Sequence, residues 1–161
     1  MPFVADLSFH IVDLPCYCVA TARGFGTSPE MDAWSTLLEW AERNGLDPIS
    51  GGHRFFGFND PSPSSPDAPY GYQQWMTIPP NVGVDSHEDV TLFKFSGGRY
   101  ISTRCEGLST ITDRWRDLYG YAEAAHLGHG EGRGLEELLT LGAQSPGEYV
   151  FDLYLPIAAD S

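Results

Sequence analysis

Val19-Ala20-Thr21-Ala22-Arg23-Gly24-Phe25-Gly26, with Asp32-Ala33-Trp34 and Leu37-Leu38 beyond it, returns later in the chain as Tyr100-Ile101-Ser102-Thr103-Arg104-Cys105-Glu106-Gly107, with Asp113-Arg114-Trp115 and Leu118-Tyr119. Arg23 and Arg104 stand 81 positions apart, and the same interval joins Gly26 to Gly107, Asp32 to Asp113, Trp34 to Trp115 and Ala41 to Ala122. Five matches in one gapless register describe a duplication. Two copies are too few for a solenoid, which buries its faces by stacking several units. The chain is therefore read as one domain, 1–161, made of two fused halves at about 10–80 and 90–157 and related by a pseudo-dyad.

Each half carries the same local signals. Residues 18–22 have strand character, and Arg23-Gly24-Phe25-Gly26 is expected to turn the chain. Thr27 and Glu30 have capping-box spacing, and Pro29 falls in the first helical turn, where its missing N–H costs nothing. Met31, Trp34, Leu37, Leu38 and Ala41 then follow helical spacing, and Asn44-Gly45 closes the helix. In the second half Ile111, Trp115, Leu118 and Ala122 repeat the stripe. Two further strands are expected after each helix, at 53–58 and 73–78 and again near 135–139 and 149–155. The last alternates, with Val150, Asp152 and Tyr154 on one face and Phe151, Leu153 and Leu155 on the other. The Pro- and Ser-rich stretch 60–69 is an exposed loop, and 81–89 is the linker between halves. The fold class is α+β, with a duplicated strand–helix–strand–strand unit.

With 161 residues, 42% of them apolar and 13% aromatic, the chain can build a core without a metal or disulfide staple. Twenty-two acidic against 9 basic residues give a net charge of −13, which repels phosphate backbones and argues against direct nucleic-acid binding. Three cysteines without repeated metal spacing fit a reducing, cytoplasmic setting, and Cys16 and Cys18 are expected to pack. No stretch has the length or composition of a signal peptide or a membrane span. The glycine-dense stretch 128–134 lacks phosphate-loop spacing. His126, just before that stretch, and His129 and Glu131 within it have no rigid element to fix a coordination geometry, so no metal and no cofactor is expected.

The ordered set Phe56-Gly57-Phe58-Asn59-Asp60-Pro61, Gly98-Arg99-Tyr100, Glu106-Gly107 and Phe151-Asp152-Leu153-Tyr154-Leu155-Pro156-Ile157 resembles the GyrI-like family. That family includes effector-binding domains of AraC-type and MerR-type transcription regulators. The similarity runs from about Leu14 to Ile157 and corresponds to a stand-alone form without a DNA-binding module. It implies a curved antiparallel sheet, both helices on one side, and a cleft between the halves that holds small lipophilic, often planar and cationic compounds beside a glutamate. The family glutamate sits in an aromatic–Glu–aliphatic–Tyr motif. The matching stretch here is Leu135-Glu136-Glu137-Leu138, which points to Glu136 or, with a slip of one position, to Glu137.

Around that glutamate the residues offer further candidates. In the run Tyr70-Gly71-Tyr72-Gln73-Gln74-Trp75-Met76, aromatic and amide groups combine as they do in pocket walls, and alternation puts Gln73 with Trp75. Tyr72, Gln73, Trp75 and Tyr154 are the expected ligand contacts, with Tyr17 and Tyr119 at the edge. Trp34 and Trp115 are expected to pin each helix to its sheet, and Asp152 requires a partner. The leading reading is binding of a hydrophobic or cationic organic molecule for sequestration or sensing. The alternative is hydrolysis of a reactive cyclopropane-containing natural product, with Glu136 activating water and Tyr72 or Trp75 ordering the substrate. A protein-interaction role is the third, and no membrane partner is expected.

Overall fold

In chain order the elements are β1 (Phe9–Leu14), β2 (Tyr17–Gly26), α1 (Pro29–Arg43), β3 (Phe55–Asn59), β4 (Tyr70–Ile78), β5 (Thr91–Phe95), β6 (Gly98–Glu106), α2 (Ile111–Ala124), β7 (Leu135–Leu138) and β8 (Val150–Pro156). This computed structural model describes residues 8–80, 89–141 and 145–159, so most of the expected linker at 81–89 lies outside the described residues. The fold is α+β. Two compact units emerge, Cys16–Ser96 and Gly97–Ser161 together with Met1–Pro15.

The first unit is an antiparallel sheet in the order β3-β4-β2-β5 with α1 against β2 and β4. The second is an antiparallel sheet in the order β7-β8-β6-β1 with α2 against β6 and β8. These two orders are the same order, element for element. The strand that flanks each repeat is exchanged, however. β1 precedes β2 in sequence but pairs with β6, and β5 precedes β6 but pairs with β2. Neither flanking strand is among those expected from the sequence. The arginine-centred segment 23–26, expected as a turn, instead continues β2 in register with β4, Arg23 opposite Gln73 and Gly26 opposite Tyr70.

Helix α1 begins at Pro29 after an N-cap Ser28 that makes no side-chain capping bond. The expected capping box does not form because Ser28 and not Thr27 is the N-cap, one position out of register with Glu30, whose carboxylate accepts from the Tyr70 hydroxyl. The buried side of α1 is Ala33, Leu37, Trp40 and Ala41, while Met31 is 66% exposed. The apolar stripe is thus rotated from the expected one. Trp34 packs edge-on against Phe55, with ring centroids 4.9 Å apart. In the second unit Leu118 and Ala122 of α2 meet Ile101, Cys105, Leu153 and Leu155, with Ile111 and Trp115 packed at the margin.

The two helices end alike. After α1, the Gly45 N–H donates to the Glu42 carbonyl and the Leu46 N–H to the Ala41 carbonyl, with Gly45 at φ 72°. After α2, His126 donates to Glu123 and Leu127 to Ala122, with His126 at φ 59°. Both are Schellman closures, 81 residues apart, and histidine stands where glycine is the residue of least strain. Among the described residues no helix is long and apolar enough to cross a membrane.

Candidate functional site

Each sheet has one face against its own helix and one opposite. Facing partners in an antiparallel ladder share a face, so the register assigns every strand side chain. In the first unit Ala20, Ala22 and Gly24 face α1, and with them their partners Met76, Gln74 and Tyr72. Thr21, Arg23, Gln73, Trp75, Phe56 and Phe58 lie opposite. Gln73 and Trp75 therefore share a face, as alternation requires. Tyr72 does not join them; it sits on the α1 side with its ring over Gly57, where any Cβ would collide with it.

Trp75, 7% exposed, is ringed on the face opposite α1. Phe93 lies at 4.9 Å, Phe58 at 5.3 Å and Phe95 at 5.4 Å between ring centroids, the first two close to edge-on. These separations fall in the favourable range for aromatic pairs. Phe93 and Phe95 come from β5, a strand absent from the sequence reading. Tyr17 shares the face, and its hydroxyl accepts from Arg54, whose guanidinium lies 5.5 Å from the Tyr17 ring and 5.0 Å from Phe56. Arg54 is not among the residues singled out from the sequence, although a single cation beside Phe55-Phe56 in a strand is its signal.

In the second unit the register separates the two neighbouring glutamates. Glu136 pairs with Leu153, which belongs to the core under α2, and Glu137 pairs with Asp152 on the face opposite. The Glu136 carboxylate accepts from the indole N–H of Trp115 on α2 at 3.0 Å. Glu137, 5% exposed, accepts from the Tyr154 hydroxyl at 2.7 Å. The Tyr154 ring meets Tyr100 edge-on at 6.1 Å. Burial raises the Tyr100 phenol above its ordinary range by removing water from the phenolate. Tyr119 lies on α2, 52% exposed and tilted against Trp115 at 6.2 Å, away from this group.

Asp152 has its partner. Arg104 grips it through Nε at 2.9 Å and a terminal nitrogen at 3.3 Å, a two-pronged contact that pushes the guanidinium pKa further up. The repeat makes the two faces comparable position by position. Arg23 opposite Gln73 corresponds to Arg104 opposite Asp152, and Phe58 and Trp75 correspond to Glu137 and Tyr154. One half fills those positions with rings; the other fills them with a shielded carboxylate and a phenol. Among the described residues no group of three His, Cys, Asp or Glu side chains is placed to hold a metal.

A family model described as integron-associated effector binding protein, Cass2, matches residues 10–157. The chain belongs to that family. Solved structures with low identity share the fold. A hydrolase from Listeria innocua is 15% identical over 97% of this chain and 94% of its own, with a TM-score of 0.66. The EcmrR C-terminal domain is 9% identical over 93% of this chain and 96% of its own, at 0.68. SAV2435 bound to tetraphenylphosphonium is 10% identical over 94% of each chain, at 0.53. No curated protein sequence matches the chain.

Proposed function

We propose that this effector-binding protein takes up a small lipophilic organic cation, with Glu137 as its counter-charge and aromatic side chains as its contact surface, for sequestration or sensing. The observation that carries the reading is the burial of Glu137 on the sheet face opposite α2, where it accepts from the Tyr154 hydroxyl. A carboxylate shielded from water interacts more strongly with a cation than an exposed one. A lipophilic cation loses little hydration on leaving water, so the attraction is not cancelled by its own desolvation. The GyrI-like resemblance and the tetraphenylphosphonium bound by a protein of the same fold support the same ligand chemistry. The net charge of −13 favours cations at long range.

The second reading, hydrolysis of a reactive cyclopropane-containing natural product, uses the same carboxylate. It is favoured by the Tyr154–Glu137 hydrogen bond, which fixes one carboxylate oxygen as a positioned base must be fixed. Glu136, engaged by Trp115 under the helix, is assigned a structural role in both readings. Tyr72, on the helix side, is assigned none in the chemistry.

Titration with a panel of planar and tetrahedral aromatic cations, followed by intrinsic tryptophan fluorescence, tests the binding reading. Saturable quenching that weakens in Glu137→Gln but not in Glu136→Gln supports it. Equal affinity in both variants refutes it. Loss of an added cyclopropane compound, catalytic in enzyme and abolished by Glu137→Gln in a folded protein, selects the hydrolase instead.

A further inference from the structure

On the face opposite α1, a chain of hydrogen bonds runs from the surface to the indole of Trp75. Arg23 donates through Nε to the Asp60 carbonyl oxygen at 2.9 Å, and the same nitrogen lies 3.8 Å from the Asp60 carboxylate. That carboxylate accepts from the Gln73 side-chain amide N–H at 2.6 Å. The Gln73 amide oxygen accepts in turn from the Trp75 indole N–H at 3.2 Å and from the Thr21 hydroxyl at 3.4 Å.

The polarity of this chain leaves one solution. An indole nitrogen only donates and an ionised carboxylate only accepts, so a group placed between them must accept at one end and donate at the other. A primary amide does both, and it joins them in a single orientation. Its oxygen faces Trp75 and its nitrogen faces Asp60. Asp60 is held in its turn, since its backbone N–H donates to the Gly71 carbonyl at 2.7 Å and the Gly71 N–H donates to the Pro61 carbonyl at 3.0 Å. The other half has no such adaptor. At the position of Gln73 it carries Asp152, ion-paired directly with Arg104, and at that of Trp75 it carries Tyr154.

We propose that Gln73 is a positioning residue, clamping the Trp75 ring to the first residue of the Asp60 loop so that the aromatic cluster of this unit keeps one geometry. It makes the start of the 60–69 loop, rather than packing alone, a determinant of Trp75 orientation.

The test uses the full chain labelled with nitrogen-15, with the Trp75 indole resonance assigned by its absence in Trp75→Phe. In Gln73→Leu that resonance moves upfield and its hydrogen exchange accelerates about fivefold, the factor expected for one lost hydrogen bond. The indoles of Trp34, Trp40 and Trp115 stay where they were. Asp60→Ala, at a side chain one-third exposed, moves the Trp75 resonance in the same direction and serves if Gln73→Leu fails to fold. The double variant Gln73→Glu/Asp60→Asn restores the wild-type signal, because the carboxylate introduced at position 73 accepts from Trp75 and Thr21 while the amide introduced at position 60 donates to it. An unchanged Trp75 signal in Gln73→Leu, or a double variant that restores nothing, overturns the clamp.

Discussion

His126 occupies the left-handed C′ position that Gly45 fills 81 residues earlier, at φ 59° against φ 72°. A side chain there carries a steric cost that glycine does not. His126→Gly is expected to raise stability by about 0.5–1 kcal/mol, read as a higher urea midpoint at unchanged m-value. An unchanged or lower midpoint would show that the imidazole makes a compensating contact. Tyr100 gives a pH prediction. Its phenol is raised by burial, so the folded state holds the proton more tightly than the unfolded one. The stability linked to it is complete below the ordinary tyrosine value of about 10 and is lost as pH rises through the higher folded value. Tyr100→Phe is expected to flatten the alkaline limb of a stability–pH profile, and an identical limb would count against the burial argument.

At the scale of elements, Gly24 shows how closely α1 rests on β2. A Cβ at that position would collide with the Pro29 carbonyl and come within 3.1 Å of the Asp32 Cβ. Both obstacles are on the helix and cannot swing away. Gly24→Ala is expected to cost about 2 kcal/mol or more in denaturant unfolding, because overpacking here displaces a whole element. A loss below about 0.5 kcal/mol would mean that the helix slides without penalty. The equivalent position in the second half is Cys105, fully buried, so α2 tolerates a side chain where α1 does not.

These elements also show what the sequence disclosed and what it withheld. The duplication, both helices and the strands around them were legible because matching residues recur at one fixed interval. β1 and β5 were not, because each flanks a repeat and finds its partner in the other half's strand, a non-local pairing that no window of sequence contains. Gln73 and Trp75 were legible as a pair by alternation. The choice between Glu136 and Glu137 was not, since Leu135-Glu136-Glu137-Leu138 is symmetric in polarity and only the ladder with β8 assigns its faces. Met31 looked like core because its spacing to Trp34 is helical, yet the sheet meets the helix along Ala33, Leu37 and Trp40.

For the molecule as a whole, the account requires that one shielded carboxylate decide which compounds are taken up. Charge, and not shape alone, must then discriminate. Tetraphenylphosphonium and tetraphenylborate have nearly the same size and opposite charge, which makes them the direct comparison. With the wild-type protein and Glu137→Gln titrated by calorimetry at constant ionic strength, the cation is expected to bind saturably to wild type and at least tenfold more weakly to the variant, about 1.4 kcal/mol or more. The anion is expected not to bind wild type. Comparable affinity for the two ions, or cation binding that is indifferent to Glu137, would contradict the account.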